Sequence, residues 1–220
     1  MDISLSDITL FQDSVTEWFS RNGRIYPWRK TTNPFHILLA ELLLRLTGAW
    51  KAEKAYNAII SKYGNPSLMS EADLEDLNGI FKPLGLHSRA LTLISIAKDV
   101  KLRFSGEIPS DYSDLVSIKG IGQYTANAVL CLAYNCRLPL VDGSISRLFR
   151  RHFRFITNKP AYADKELWAF ATELLPKSNF RNYNLGLLDI ASIYCRYPRP
   201  NCHSCPLAHS CSYHLETRSC

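Results

Sequence analysis

Apolar residues recur three and four positions apart along most of the chain, and nowhere do they alternate over a sustained stretch. That pattern predicts helices and almost no sheet. Phe35 to Leu46 is apolar nearly all round, which predicts a buried helix. Asn33 is suited to cap its start, with Pro34 at the first helical position. Ala52, Tyr56 and Ile59 mark the next apolar stripe, which stops at Gly64-Asn65-Pro66. Further helices are expected near 88–104, 122–134, 143–154, 163–175 and 181–194, divided by short Gly-, Pro- and Asn-containing separators. There is no tandem repeat, low-complexity tract or long linker.

Composition adds little to this picture. The 220 residues are 46% hydrophobic, enough for a sizeable core, and carry a net charge of +6. A mild positive excess suits a polyanionic partner but is common in other proteins. The start, Met1-Asp-Ile-Ser-Leu-Ser-Asp, lacks the basic and apolar regions of a signal peptide. The longest apolar run, about Ile37 to Leu46, is interrupted by Glu41 and too short to span a bilayer. An intracellular protein with no membrane partner is expected. In a reducing compartment, seven cysteines, most of them clustered, indicate metal ligation rather than disulfides.

Candidate chemistry lies in four segments. Cys195-x6-Cys202-x2-Cys205-x5-Cys211 places four thiols within seventeen residues, and Pro198, Pro200 and Pro206 stiffen the loop. Such a set can converge on one metal centre, and spacing alone leaves zinc and an iron–sulfur cluster both open. Cys131 and Cys136 lie in or beside an apolar helix and are expected to pack; Cys220 is terminal and expected to be unligated.

Ser117-Ile118-Lys119-Gly120-Ile121-Gly122 then joins two helices, with backbone N–H groups at a helix start where a phosphate would be favoured. A bare Gly-x-Gly is more often an ordinary turn. Asp142 precedes a helix and is suited to cap it. Arg147, Arg150, Arg151 and Arg154 are spaced to share one face, either solvated or against a nucleic-acid backbone. Glu41 is the lone acid of the apolar helix. Buried, it would be biased towards its neutral form, as a general acid requires; at the surface, it would pair with Arg45 four residues on.

Together these segments resemble the iron–sulfur DNA glycosylases of the endonuclease III and MutY type, over about Phe11 to Tyr213. In that family the cysteine spacing holds a [4Fe–4S] cluster, and the hairpin reads Leu-Pro-Gly-Val-Gly, with Pro where this chain has Lys119. The resemblance implies an all-α fold of two helical lobes: 24–136 with the helix–hairpin–helix, and 1–23 plus 137–220 with the cluster loop. It implies that Lys119, Gly120, Gly122 and Arg147 contact DNA, and that Asp142 faces Glu41 across a groove. Glu41-Leu42-Leu43-Leu44-Arg45-Leu46-Thr47 is similar to the Glu-x-x-Leu-x-x-Thr segment carrying the catalytic Glu of MutY and of the mismatch thymine glycosylases. Tyr26-Pro27-Trp28-Arg29 is similar to the Phe-Pro-Trp-Arg of the same subgroup, which makes Trp28 and Arg29 base-pocket candidates, although Trp28 also reads as a core aromatic. Leu46 and Leu86 match wedge positions that fill the gap left by an extruded base.

Position 124 bears on reaction type. Bifunctional relatives carry Lys there, MutY Ser, and the Mig-type T·G thymine glycosylases Tyr, as in this chain. Tyr124 implies a monofunctional hydrolase acting on thymine or uracil opposite guanine. The Asp142-Gly143 pair is instead the MutY form. An adenine glycosylase and a non-enzymatic iron–sulfur DNA-binding protein are the alternatives. The implied partner is double-stranded DNA with a mismatched or damaged base, met by a cytoplasmic, nucleoid-associated monomer.

Overall fold

A computed structural model describes residues 3–45, 48–82 and 89–217. Every regular element among them is helical. The chain forms two compact units: Met1–Arg24 with Arg137–Cys220, and Ile25–Cys136. Among the described residues no helix is long and apolar enough to cross a membrane.

The contiguous unit contains α2 (Pro34–Leu44), α3 (Ala49–Tyr63), α4 (Pro66–Ser70), α5 (Leu74–Phe81), α6 (Arg89–Arg103), α7 (Tyr112–Ser117) and α8 (Gln123–Leu132). Asn33 caps α2 as its sequence predicts: its side-chain oxygen accepts from the Phe35 and His36 amides at 3.0 and 3.1 Å. The apolar run is then buried on nearly all sides, from Phe35 to Leu43. Helix α2 packs on α3 and α8, and α4 packs on α6. The helix ends at Leu44, earlier than expected, because Arg45 turns to an extended conformation (φ −65°, ψ 111°).

Helices α4, α5 and α7 are absent from the hydrophobic pattern, being only 5, 8 and 6 residues long. Their starts are nonetheless written in the chain. Asn65, Asp73 and Asp111 each accept backbone N–H bonds as N-caps. Asn65-Pro66, taken above as a stop, is equally a start.

The discontinuous unit contains α1 (Leu5–Asn22), α9 (Gly143–His152), α10 (Lys165–Glu173), α11 (Phe180–Ile193) and α12 (Ser212–Thr217). Phe11 is its hub, with its ring against Phe149, His152, Phe153 and Tyr183 at 4.7 to 6.4 Å. Helices α1 and α11 approach closely at Gly186, where a Cβ would come within 2.9 Å of Val15 and 3.1 Å of Phe19. Asp189, with a fully buried side chain, accepts from the Arg24 amide at 2.9 Å and Nε at 2.6 Å. This pair pins the end of the N-terminal segment to α11.

Candidate functional site

Glu41 lies in the last two turns of α2 at 8% exposure, so the surface ion-pair reading does not hold. Arg45 turns away from the helix axis into the hairpin. Its Nη2 donates to the Gly120 carbonyl at 3.2 Å and to the Thr125 hydroxyl at 2.6 Å. Burial holds its guanidinium below the usual arginine value, and neighbouring Arg89 adds to that; the charge of Glu41 opposes it. Arg45 therefore remains electrostatically tied to Glu41 while its hydrogen bonds go elsewhere.

The hairpin is anchored by its apolar residues, Ile118 and Ile121, at 1% and 4% exposure. Lys119, Gly120 and Gly122 are exposed between and beside them. Gly120 has φ +105°, a region L residues rarely enter, and a Cβ there would sit 3.3 Å from Ile96 and Thr92. Gly122 is different: nothing lies within 4 Å of a Cβ there. It is the N-cap of α8 and offers no side-chain acceptor to the helix start. Tyr124 is half-buried in the first turn of α8.

Trp28 is buried, stacked on Tyr26 at 4.8 Å and edge-on to Tyr56 at 5.4 Å. Half-buried Arg29 lies over the Tyr26 ring. The wedge candidates Leu46 and Leu86, and Cys220, lie outside the described residues.

In the other unit, Asp142 is the N-cap of α9. One carboxylate oxygen, Oδ1, accepts from the Ser144 amide, the Ser144 hydroxyl and the Ile145 amide at 2.9, 2.7 and 2.8 Å. The arginines that follow do not form a single free face. Arg147 Nε donates to the Cys195 carbonyl at 2.6 Å, and Arg151 Nη1 to the Arg196 carbonyl at 2.9 Å. Arg150 donates to the Lys159 carbonyl. Arg154 is off the helix, which ends at His152; it has φ +55° and pairs with Glu216. An offset of seven residues cannot define a face once the helix has stopped.

Cys195, Cys202, Cys205 and Cys211 line one pocket, partly open to solvent, with Leu148, Tyr194 and Leu207 in its wall. Desolvation raises the thiols of Cys202, Cys205 and Cys211, Cys205 to about 11, and each feels the charge of other cysteines in the set. Burial thus disfavours the thiolate form, and a bound cation would offset that cost. Arg151 Nη1 also lies 3.5 Å from the Cys195 sulfur. Among the described residues, no three of His, Cys, Asp or Glu are gathered closely enough to hold a single ion. Four cysteine sulfurs lining one pocket fit a metal centre held by thiolates, which both zinc and an iron–sulfur cluster accept. Cys131 is packed in α8, as its apolar surroundings predict.

An HhH-GPD superfamily base excision DNA repair protein signature matches residues 45–173. The chain belongs to the HhH-GPD superfamily. A thymine/uracil-DNA glycosylase of Pyrobaculum aerophilum is 35% identical over 93% of this chain and 91% of its own. That of Methanothermobacter thermautotrophicus is 31% identical over 93% of each. An adenine DNA glycosylase of a Buchnera aphidicola strain is 28% identical over 95% of this chain but 60% of its own length. A solved thermostable thymine-DNA glycosylase superposes with a TM-score of 0.91 at 30% identity, covering 98% of this chain and 100% of that one. This HhH-GPD protein is thus a base excision repair glycosylase.

For an HhH-GPD member, the hairpin of residues 117–122 and α8 are the family's defining motif, and here they are braced from α2. The brace, Arg45 with Thr125, was not singled out from the sequence. A basic residue four positions after an acid reads as an ion pair, and only the fold turns it towards Gly120.

Proposed function

We propose that this HhH-GPD protein removes thymine, or uracil, mispaired with guanine in double-stranded DNA. It does so by hydrolysing the N-glycosidic bond without cutting the strand. The observation that carries this reading is the naming of the relatives at 31–35% identity, which span more than nine-tenths of the chain. Tyr124 supports the absence of strand cleavage, because a phenol offers no amine to form a Schiff base with the sugar.

Each residue then has a task. The N–H groups after Gly122, with Lys119 and Gly120, grip a backbone phosphate, and Arg147 adds charge on the cluster side. Trp28 and Arg29 shape the base pocket, Trp28 from behind, since it is buried. Asp142 stabilises the sugar cation that develops as the base departs. Glu41 organises the attacking water or protonates the leaving base. Leu46 and Leu86 fill the vacated stack. Cys195, Cys202, Cys205 and Cys211 would hold a [4Fe–4S] cluster, whose contribution is structural: it fixes the loop carrying Arg196 and Arg199.

The Asp142-Gly143 pair and the adenine glycosylase relatives favour a second reading, adenine release from A·G or A·8-oxoG. A panel of mismatched duplexes separates them. Alkali-labile sites from T·G and U·G, without nicking before alkali, are expected. Adenine release with no thymine release would establish the second reading, and nicking without alkali would refute the role given to Tyr124.

A further inference from the structure

Glu41 and the glycine hairpin are about eighty residues apart in sequence, and Arg45 joins them. Helix α2 stops one residue before Arg45, and the backbone turn there frees the side chain to reach α8. One nitrogen, Nη2, serves both acceptors: the Gly120 carbonyl in the turn itself and the Thr125 hydroxyl in the first turn of α8. Thr125 is 1% exposed, so its hydroxyl has little access to solvent as an alternative partner. Gly120 is the residue of the hairpin with the conformation only glycine tolerates well. The bond therefore falls on the part of the turn whose geometry matters most. Burial and neighbouring Arg89 disfavour the guanidinium in this place, and the Glu41 carboxylate favours it. An arginine is kept there at a cost, and its geometry is fixed at both ends.

We propose that Arg45 is a positioning residue that locks the end of the Glu41 helix to the hairpin, so that the hairpin's hold on the DNA backbone sets where Glu41 stands. This role rests on Glu41 acting at the base, as proposed above. It differs from a DNA contact, because the bonding nitrogen is directed to the protein's own backbone and to a buried hydroxyl. It differs from general stabilisation, because it acts on chemistry after DNA is bound. A displacement of an ångström at a reacting group can cost about a hundredfold in rate.

The test uses the full chain with Arg45→Gln, Thr125→Val and Thr125→Ser. Single-turnover base release is measured on a T·G duplex with enzyme in saturating excess, and Kd on the same duplex. Arg45→Gln is expected to slow release about tenfold or more, with Kd within about threefold of wild type. Thr125→Val, which removes one acceptor at nearly constant volume, should slow release in the same direction. Thr125→Ser, which keeps the hydroxyl, should restore it. Release by Arg45→Gln and Thr125→Val within about twofold of wild type, or a loss confined to Kd, would overturn the positioning role. Failure of the wild-type protein to release any base from the mismatch panel would instead overturn the glycosylase reading on this substrate class, and the positioning role with it.

Discussion

Asp142→Asn separates two tasks held by one carboxylate. As the cap of α9, Asp142 uses only Oδ1, which accepts from the Ser144 amide, the Ser144 hydroxyl and the Ile145 amide. An asparagine carbonyl can accept the same three bonds, and Asn and Asp are about equal as N-caps. What disappears is the negative charge at the helix start, worth about 0.3–1 kcal/mol. In a chain of this size that is a fall in Tm of about 1–4 °C. Asp142→Ala loses the bonds as well, about 1–2 kcal/mol in total, and should lower Tm further. The chemistry should respond quite differently. A group that stabilises charge only in the transition state is worth about a hundredfold to a thousandfold in rate. Single-turnover thymine release by Asp142→Asn should therefore fall by at least about a hundredfold while its fold and Kd for DNA stay near wild type. Circular dichroism melting and alkali-developed gels supply the two readouts. Release within about threefold of wild type would reduce Asp142 to a cap and refute the reasoning.

Other outcomes follow from the packing. Asp189→Asn breaks a pair whose acid side chain is fully buried and whose Arg24 side chain is 33% exposed. With that partial solvation the cost is set at about 3 kcal/mol, a fall in Tm of about 6–12 °C, and a fall under about 2 °C would show the pair to be dispensable. Gly120→Ala should lower Tm by about 2–8 °C, from about 1–2 kcal/mol of backbone strain and crowding against Ile96 and Thr92, whereas Gly122→Ala, with open space and an ordinary φ, should lose only the N-cap preference of glycine over alanine, about 0.5 kcal/mol or about 1–2 °C. Equal effects at the two glycines would contradict the hairpin geometry. Cys205→Ser should yield protein with little iron, lacking the visible absorbance of a cluster and melting well below wild type; a colourless, zinc-bound and fully active wild-type protein would overturn the cluster.

Much of the local structure was legible before any coordinates. Asn33-Pro34 starts α2, and the apolar run after it is buried, because capping chemistry and continuous hydrophobicity act over a few residues. The predicted positions of α6, α8, α9, α10 and α11 agree with the structure to within about two residues at each end, the scatter usual for helix boundaries. The short helices were missed because a helix of five to eight residues shows less than two or so full apolar turns, though their Asx caps announced them.

The sequence by itself determined helical class and where the hairpin and the cysteine loop fall, since each of these is set by near neighbours in the chain. Partner choice was beyond it. Arg45 stands four residues from an acid, yet its hydrogen bonds go to Gly120 and Thr125, and Arg147 and Arg151 turn inward to brace the cysteine loop. A long cationic side chain can reach many acceptors. Which one it takes is decided by which carbonyl or hydroxyl the tertiary fold brings within reach, and that is settled only once distant parts of the chain have packed.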